Sequence, residues 1–184
     1  MAPSVEYGNE VWAAGTNYDS VDTFHVKFLK RVLKLRPQTP TLAVFGELGE
    51  YPLSVKLELR TLKYFLRLMS LPQDHIAKKM LLSLKSLDSI GLTTWFTHVR
   101  KLIEKYDLEY LLENDSPSDY KDVKRLVQNS FQRHFFSSVL NSQVNPKLRT
   151  YKLFKKEFDF ENYLGLTIPK YRFSLCRFRP VPTI

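Results

Sequence analysis

Between Leu53 and Met69 the side chains Val55, Leu59, Leu62, Leu66 and Met69 advance by four, three, four and three residues. Leu53, Leu57, Phe65 and Leu68 widen the same stripe. This is the period of an α-helix, and a stripe so broad demands apolar cover on much of the helix circumference. The rest of the chain must supply that cover, and its periodicity is of the same kind. Val21, Phe24, Phe28, Leu29, Val32 and Leu35 predict a helix capped by Asp19 or Ser20 and stopped by Pro37 and Pro40. Thr41 to Leu48 forms a short segment, with Gly49 suited to an end and Pro52 to a new start.

Further along, Pro72 and Asp74 predict a turn and cap before Ile76, Ala77, Met80, Leu81, Leu84 and Leu87, and Gly91 breaks that run. Thr93 or Thr94 precedes Trp95, Phe96, Val99, Leu102, Ile103 and Tyr106 at helical spacing. Asp119 opens a stretch through Val123, Leu126, Val127, Phe131, Phe135 and Val139, which ends before Pro146. A last helix is predicted near Leu148 to Phe158, with Tyr151, Phe154 and Phe158 on one side and Lys152, Lys155 and Lys156 away from it. Only 6 glycines occur against 10 prolines, which disfavours tight hairpins, and no alternating strand or internal repeat is present. The expected fold is all-α: a multi-helix, bundle-like domain over 21–165, preceded by 1–20 and followed by an irregular basic C-terminal tail over 166–184.

Charge narrows the choice of partner. Lysine and arginine number 28 against 19 acids, a net of +9, and the excess is concentrated in two places. Residues 22–36 hold five bases and only Asp22 as an acid; Lys147 to Arg179 holds nine bases and three acids. Such patches favour polyanions. In the second patch the bases alternate with Tyr151, Phe154, Phe158, Tyr163, Tyr171, Phe173 and Phe178. Exposed rings beside cations can stack bases. Helical spacing favours packing for Tyr151, Phe154 and Phe158, whereas packing and stacking both stay open for Tyr171 to Arg179.

Catalytic chemistry finds little support. His25, His75, His98 and His134 fall on different segments, and none has a partner at metal-ligand spacing. Asp119 with Asp122, and Asp159 with Glu161, could hold magnesium, but their places near helix ends suit capping. Gly46 to Gly49 is not a phosphate loop, since Glu47 would repel the anion. Cys176, the only cysteine, excludes an internal disulfide and fits a reducing, intracellular setting, nuclear or cytoplasmic alike. Lys56, Glu58, Arg60, Lys63 and Arg67 rule out a membrane span in the most apolar stretch. No enzyme activity, cofactor, metal or small-molecule substrate is expected.

Two stretches are more particular. Pro3 and Tyr7-Gly8-Asn9-Glu10-Val11-Trp12 come first; Thr39-Pro40-Thr41-Leu42-Ala43-Val44-Phe45-Gly46-Glu47-Leu48-Gly49, followed by Pro52-Leu53, comes second. In this order, with a basic helix between, they resemble the region just downstream of the polymerase domain in non-LTR (LINE-type) retrotransposon reverse transcriptases. Leu62 to Phe65, Trp95, Leu148 to Lys155, Tyr171-Arg172 and Arg177-Phe178-Arg179 agree more loosely, so the likeness covers about residues 3 to 179.

The resemblance implies that 1–20 is the end of the polymerase thumb region and that the family's catalytic carboxylates lie upstream. The family continues past Arg-Phe-Arg toward a Cys/His cluster, whereas here Arg179 leads to Pro180 to Ile184, which reads as a truncated copy. It implies a non-catalytic fragment contacting RNA or DNA through Lys27, Lys30, Arg31, Lys34, Lys152, Lys155, Lys156, Arg177 and Arg179. Glu47 is expected to cap a helix or pair with a cation, and Tyr7 and Trp12 to pack. The alternative is a helical protein-interaction or scaffold domain that binds no nucleic acid.

Overall fold

The computed structural model describes residues 7–12, 18–113, 119–141, 148, 151–165 and 174. Its elements are α1 (Asn9–Trp12), α2 (Asp19–Val32), α3 (Thr41–Leu48), α4 (Leu53–Met69), α5 (Ile76–Ser89), α6 (Trp95–Lys105), α7 (Tyr110–Glu113), α8 (Tyr120–Leu140) and α9 (Tyr151–Phe154), then a 3-10 turn at Asn162–Gly165. Among the described residues the one extended pairing is an isolated antiparallel bridge between Leu48 and Phe160. The chain is all-α.

It gathers into two compact units, each built from two stretches of sequence. The first takes Met1–Asn17 and Ser54–Ser130; the second takes Tyr18–Leu53 and Phe131–Ile184. The block 21–165 thus divides between the units, and the described part of 1–17 counts with the first.

In the first unit α4 buries Val55, Leu57, Leu59, Leu62, Phe65, Leu66 and Leu68, as the breadth of its stripe requires. Phe65 meets Phe96 of α6 with ring centroids 6.1 Å apart, and Tyr64 meets Trp95 edge-on at 5.8 Å. Burial extends to polar groups that find partners. The Glu58 carboxylate accepts from Lys105 Nζ at 2.7 and 2.8 Å and from the Tyr106 hydroxyl. Asn9, fully buried, donates from Nδ2 to the Leu57 carbonyl, and Trp95 Nε1 donates to the Glu10 carbonyl at 2.7 Å. In the Tyr7 to Trp12 stretch it is therefore Asn9 that is anchored. Tyr7, expected to pack, is 85 % exposed. The Trp12 side chain lies outside the described residues.

Helix entry follows local chemistry with small shifts. Thr94 caps α6 in a reciprocal box with Thr97, as its sequence position predicts. His75, not Asp74, caps α5 by accepting from the Ala77 amide. Asp119 Oδ1 accepts from the Lys121 amide at the start of α8, the capping role expected of it.

Asp88, near the end of α5, ties that helix to α6. Its carboxylate accepts from Arg100 Nε at 2.9 Å and from the Thr97 hydroxyl at 2.6 Å. These bonds, Arg100 foremost, hold the Asp88 carboxyl below the usual aspartate range. A depressed folded pKa stabilises fully above the unfolded value, about 3.9, and that stability is lost as pH falls through the folded pKa. Asp88→Asn should therefore lower the urea midpoint at neutral pH and flatten its decline on the acid side. An acid limb identical to wild type would refute this.

In the second unit Ala43, Phe135, Val139, Leu148 and Tyr151 form one buried cluster, joined by Leu42, Phe131, Phe136 and Phe158. Leu33, Val44 and Leu164 form another, with Leu29, Leu35, Leu48 and Tyr163 against it. Tyr51, Phe131, Phe135 and Phe158 meet ring to ring at 4.9–6.5 Å. Each such pair adds about 0.5–1.5 kcal/mol beyond area burial, which makes this aromatic group a principal fastening of the unit. Phe158 therefore packs, as does Tyr151, whereas Phe154 is 59 % exposed. The helix expected over 148–158 is shorter, spanning Tyr151–Phe154, and its face rule fails at Phe154, which is exposed, and at Lys155, which is buried.

The Gly46-Glu47-Leu48-Gly49 run belongs to this packing. A Cβ on Gly46 would lie 2.4 Å from the Tyr151 hydroxyl and 2.7 Å from Phe135 Cζ. Gly49 closes α3 in the left-handed region, φ 58°, and lies against the backbone of Asp159 and Phe160. Glu47 is fully buried and accepts a hydrogen bond from the Tyr163 hydroxyl, while its carbonyl accepts from the Glu161 amide. Glu47 is expected from the sequence to cap a helix or pair with a cation; here its side chain contacts a phenol from the C-terminal segment.

Candidate nucleic-acid interface

Helix α2 begins at Asp19 itself, behind Tyr18, with no side-chain cap. It ends at Val32, and Lys34 turns the chain with φ 52° before Pro37 arrives. Which face it buries decides what its bases can do. The sequence stripe through Phe24, Phe28 and Val32 was expected inside, yet these residues are 51 %, 48 % and 53 % exposed. Val26 and Leu33 are buried instead, with Leu29 packed beside Leu33.

The reason is visible in the spacing. Residues 24, 27, 28 and 31 stand three or four apart and share one helix face. Burying Phe24 and Phe28 would carry Lys27 and Arg31 into the interior without partners, a cost far above the gain from two rings. The series 26, 29 and 33 brings Asp22 and Lys30 along its edges instead, both only half-buried, and Lys30 finds a partner in the Pro37 carbonyl.

The bases of α2 border an open concavity of about 880 Å³. Lys27, Lys30 and Arg31 line it, together with Asp19, Asp22, Thr23 and Thr41, over an apolar floor of Val26, Leu35, Pro37 and Phe45. Lys27 and Arg31 are exposed. Lys30 is half-buried, donates from Nζ to the Pro37 carbonyl at 2.7 Å, and has its pKa lowered by that burial. It buttresses the loop after α2 as well as adding charge. Lys34 is exposed beyond the helix end.

The second basic patch is different. Lys155 is a correction to the expected contact set. Its side chain is 0 % exposed, and Nζ is held by Glu161 Oε1 at 2.6 Å, the Asp159 carbonyl at 2.9 Å and Asp159 Oδ1 at 3.7 Å. A cation so enclosed is not available to a phosphate. Asp159 and Glu161, weighed as a magnesium pair or as caps, are the acids that enclose it. Lys152 is half-buried and Lys156 exposed. Arg177 and Arg179 lie outside the described residues, as do Tyr171, Phe173, Phe178 and Cys176. Only the first patch borders this concavity among the described residues; its lining includes no residue of the second.

No group of three or more histidine, cysteine, aspartate or glutamate side chains that could hold a metal occurs among the described residues. His25 packs its ring against Phe45, and His75 serves as a cap. No described helix is long and apolar enough to cross a membrane. Comparison with protein-family models, with curated proteins and with solved structures gave no match.

The feature that periodicity missed is the aromatic part of the α2 face. The signal was present in the interleaving of Phe24 and Phe28 with Lys27 and Arg31.

Proposed function

We propose that this chain is a non-catalytic region of a non-LTR retrotransposon reverse transcriptase, from downstream of the polymerase domain, that grips RNA or DNA. The observation that carries the nucleic-acid part is the row of Lys27, Lys30 and Arg31 along an open concavity on α2. Support for the family comes from the residue order in 3–12 and 39–53. The contact set is Lys27, Lys30, Arg31 and Lys34, with Lys152 and Lys156 as outlying cations and Arg177 and Arg179 from the tail; Lys155 is withdrawn from it.

Phosphate contacts release counterions, so the affinity should fall steeply and linearly on logarithmic axes as salt rises. Lys27→Glu with Arg31→Glu should weaken binding to single and double strands alike, by about tenfold or more, and should flatten the salt slope. Filter binding across a salt series measures both. Absence of any affinity at low salt, or primer extension by the purified chain, would overturn this reading.

A second reading, a helical interaction domain, has one observation in its favour. Ile76, Met80 and Leu87 are exposed along α5 at helical spacing, and Ile90 just beyond its end is exposed too. A protein partner retained after nuclease treatment, with no nucleic acid bound, would favour it.

A further inference from the structure

The two rings left in water on α2 bear on which form of nucleic acid is taken. Phe24 and Phe28 are each about half exposed and four residues apart, which places them about 6 Å apart along the helix axis. Single exposed apolar residues need no explanation, but this pair continues into Val32 and forms a contiguous patch. Lys27 and Arg31 lie on the same face by their spacing, and both are exposed. Asp19 and Asp22 line the same concavity as these two bases but, by their spacing, stand on a different helix face from Phe24 and Phe28. The ring-bearing face therefore carries a positive border, and charge complementarity asks for a polyanion that also has flat apolar faces to offer.

We propose that α2 is a stacking platform for single-stranded nucleic acid. Phe24 and Phe28 each take a base, and Lys27 and Arg31 hold the adjoining phosphates. This rests on, and sharpens, the nucleic-acid reading above. A duplex satisfies the bases but leaves the rings idle, since its bases are already stacked on one another. An extended strand uses both, because every base has a π-face and successive bases can alternate with the helix side chains. A partner helix would cover the rings best by bringing an acidic edge to Lys27 and Arg31; failure of the wild-type chain to bind any of the three ligands below would favour that occupant.

The test is fluorescence anisotropy at low salt, using the whole chain with a labelled oligothymidylate, an abasic strand of equal length and a duplex of equal length. Phe24→Ala with Phe28→Ala should weaken oligothymidylate binding by about tenfold or more. Affinity for the abasic strand and the duplex should stay within about twofold, because neither presents a base to the rings. Phe24→Trp with Phe28→Trp should keep oligothymidylate affinity. Both side chains are exposed, so circular dichroism of all variants should match wild type. If wild type binds all three ligands and the alanine variant loses nothing, or loses equally on each, the platform is wrong while nucleic-acid binding stands. If wild type binds none of them at low salt, the nucleic-acid reading itself fails and the platform with it.

Discussion

Gly49→Ala should destabilise the second unit by about 3 kcal/mol, shared between backbone conformation and close contact. The left-handed φ of 58° costs a residue with a Cβ about 1–2 kcal/mol. The remainder comes from the new methyl group, which would lie 2.4 Å from the Asp159 carbonyl carbon and 2.6 Å from the Phe160 nitrogen. Both are backbone atoms and cannot rotate away. They also belong to the segment that pairs Leu48 with Phe160 and joins the Glu47 carbonyl to the Glu161 amide. Displacing it disturbs the Lys155 enclosure as well. Gly91→Ala is the control. Gly91 has φ 86°, but nothing lies within 4 Å of the Cβ position, so only the backbone term of about 1–2 kcal/mol applies. Trp12 and Trp95 both belong to the first unit, so far-UV ellipticity must report the second. Equal losses in the two variants on urea unfolding would show that the close approach to 159–160 carries no energy.

The other large effect is expected at Lys155. Substitution by Met keeps much of the stem volume and removes the charge. Removing one partner of a buried ion pair costs about 3–5 kcal/mol, because the other charge stays desolvated. Glu161 keeps 20 % side-chain exposure and Asp159 keeps 67 %, so water compensates in part and the low end of that range applies. Lys155→Met with Glu161→Gln should recover a measurable share, since the uncompensated carboxylate is then gone. Lys156→Met, one residue on and exposed, should change stability by less than about 0.5 kcal/mol. If Lys155→Met behaved like Lys156→Met, the enclosure would contribute nothing.

These two residues also mark where sequence periodicity stops informing. The helical class, the length of α4, and the stop at Gly49 with a restart after Pro52 follow from spacing and backbone preference, which are local. Lys155 does not. A helical wheel puts it on the outside only if the helix continues to Phe158, and the helix ends at Phe154. After that point, position depends on which groups of the chain return to meet it, here Asp159 and Glu161. Helix α2 misleads for another reason. It carries two apolar series, 24-28-32 and 26-29-33, and period alone assigns neither to the interior. Both series travel with charges, Lys27 and Arg31 with the first and Asp22 and Lys30 with the second, and the buried one is that whose lysine reaches a partner, the Pro37 carbonyl. Asn9 and Glu47 were opaque because a buried polar side chain is legible only through a remote partner, the Leu57 carbonyl in one case and Tyr163 in the other.

The way α8 is shared has its own consequence. Tyr120 to Ser130 belong to the first unit and Phe131 to Leu140 to the second, and the chain has already passed from one to the other near Leu53. Neither unit can be excised as one uninterrupted segment of the gene. An amino-terminal piece ending near Leu53 would bear Gly46 and Glu47 without Phe135, Tyr151 or Tyr163, the side chains that clothe them. Completion of the second unit must therefore await synthesis through Tyr163, and closing loops of this reach makes assembly slow for an all-helical protein.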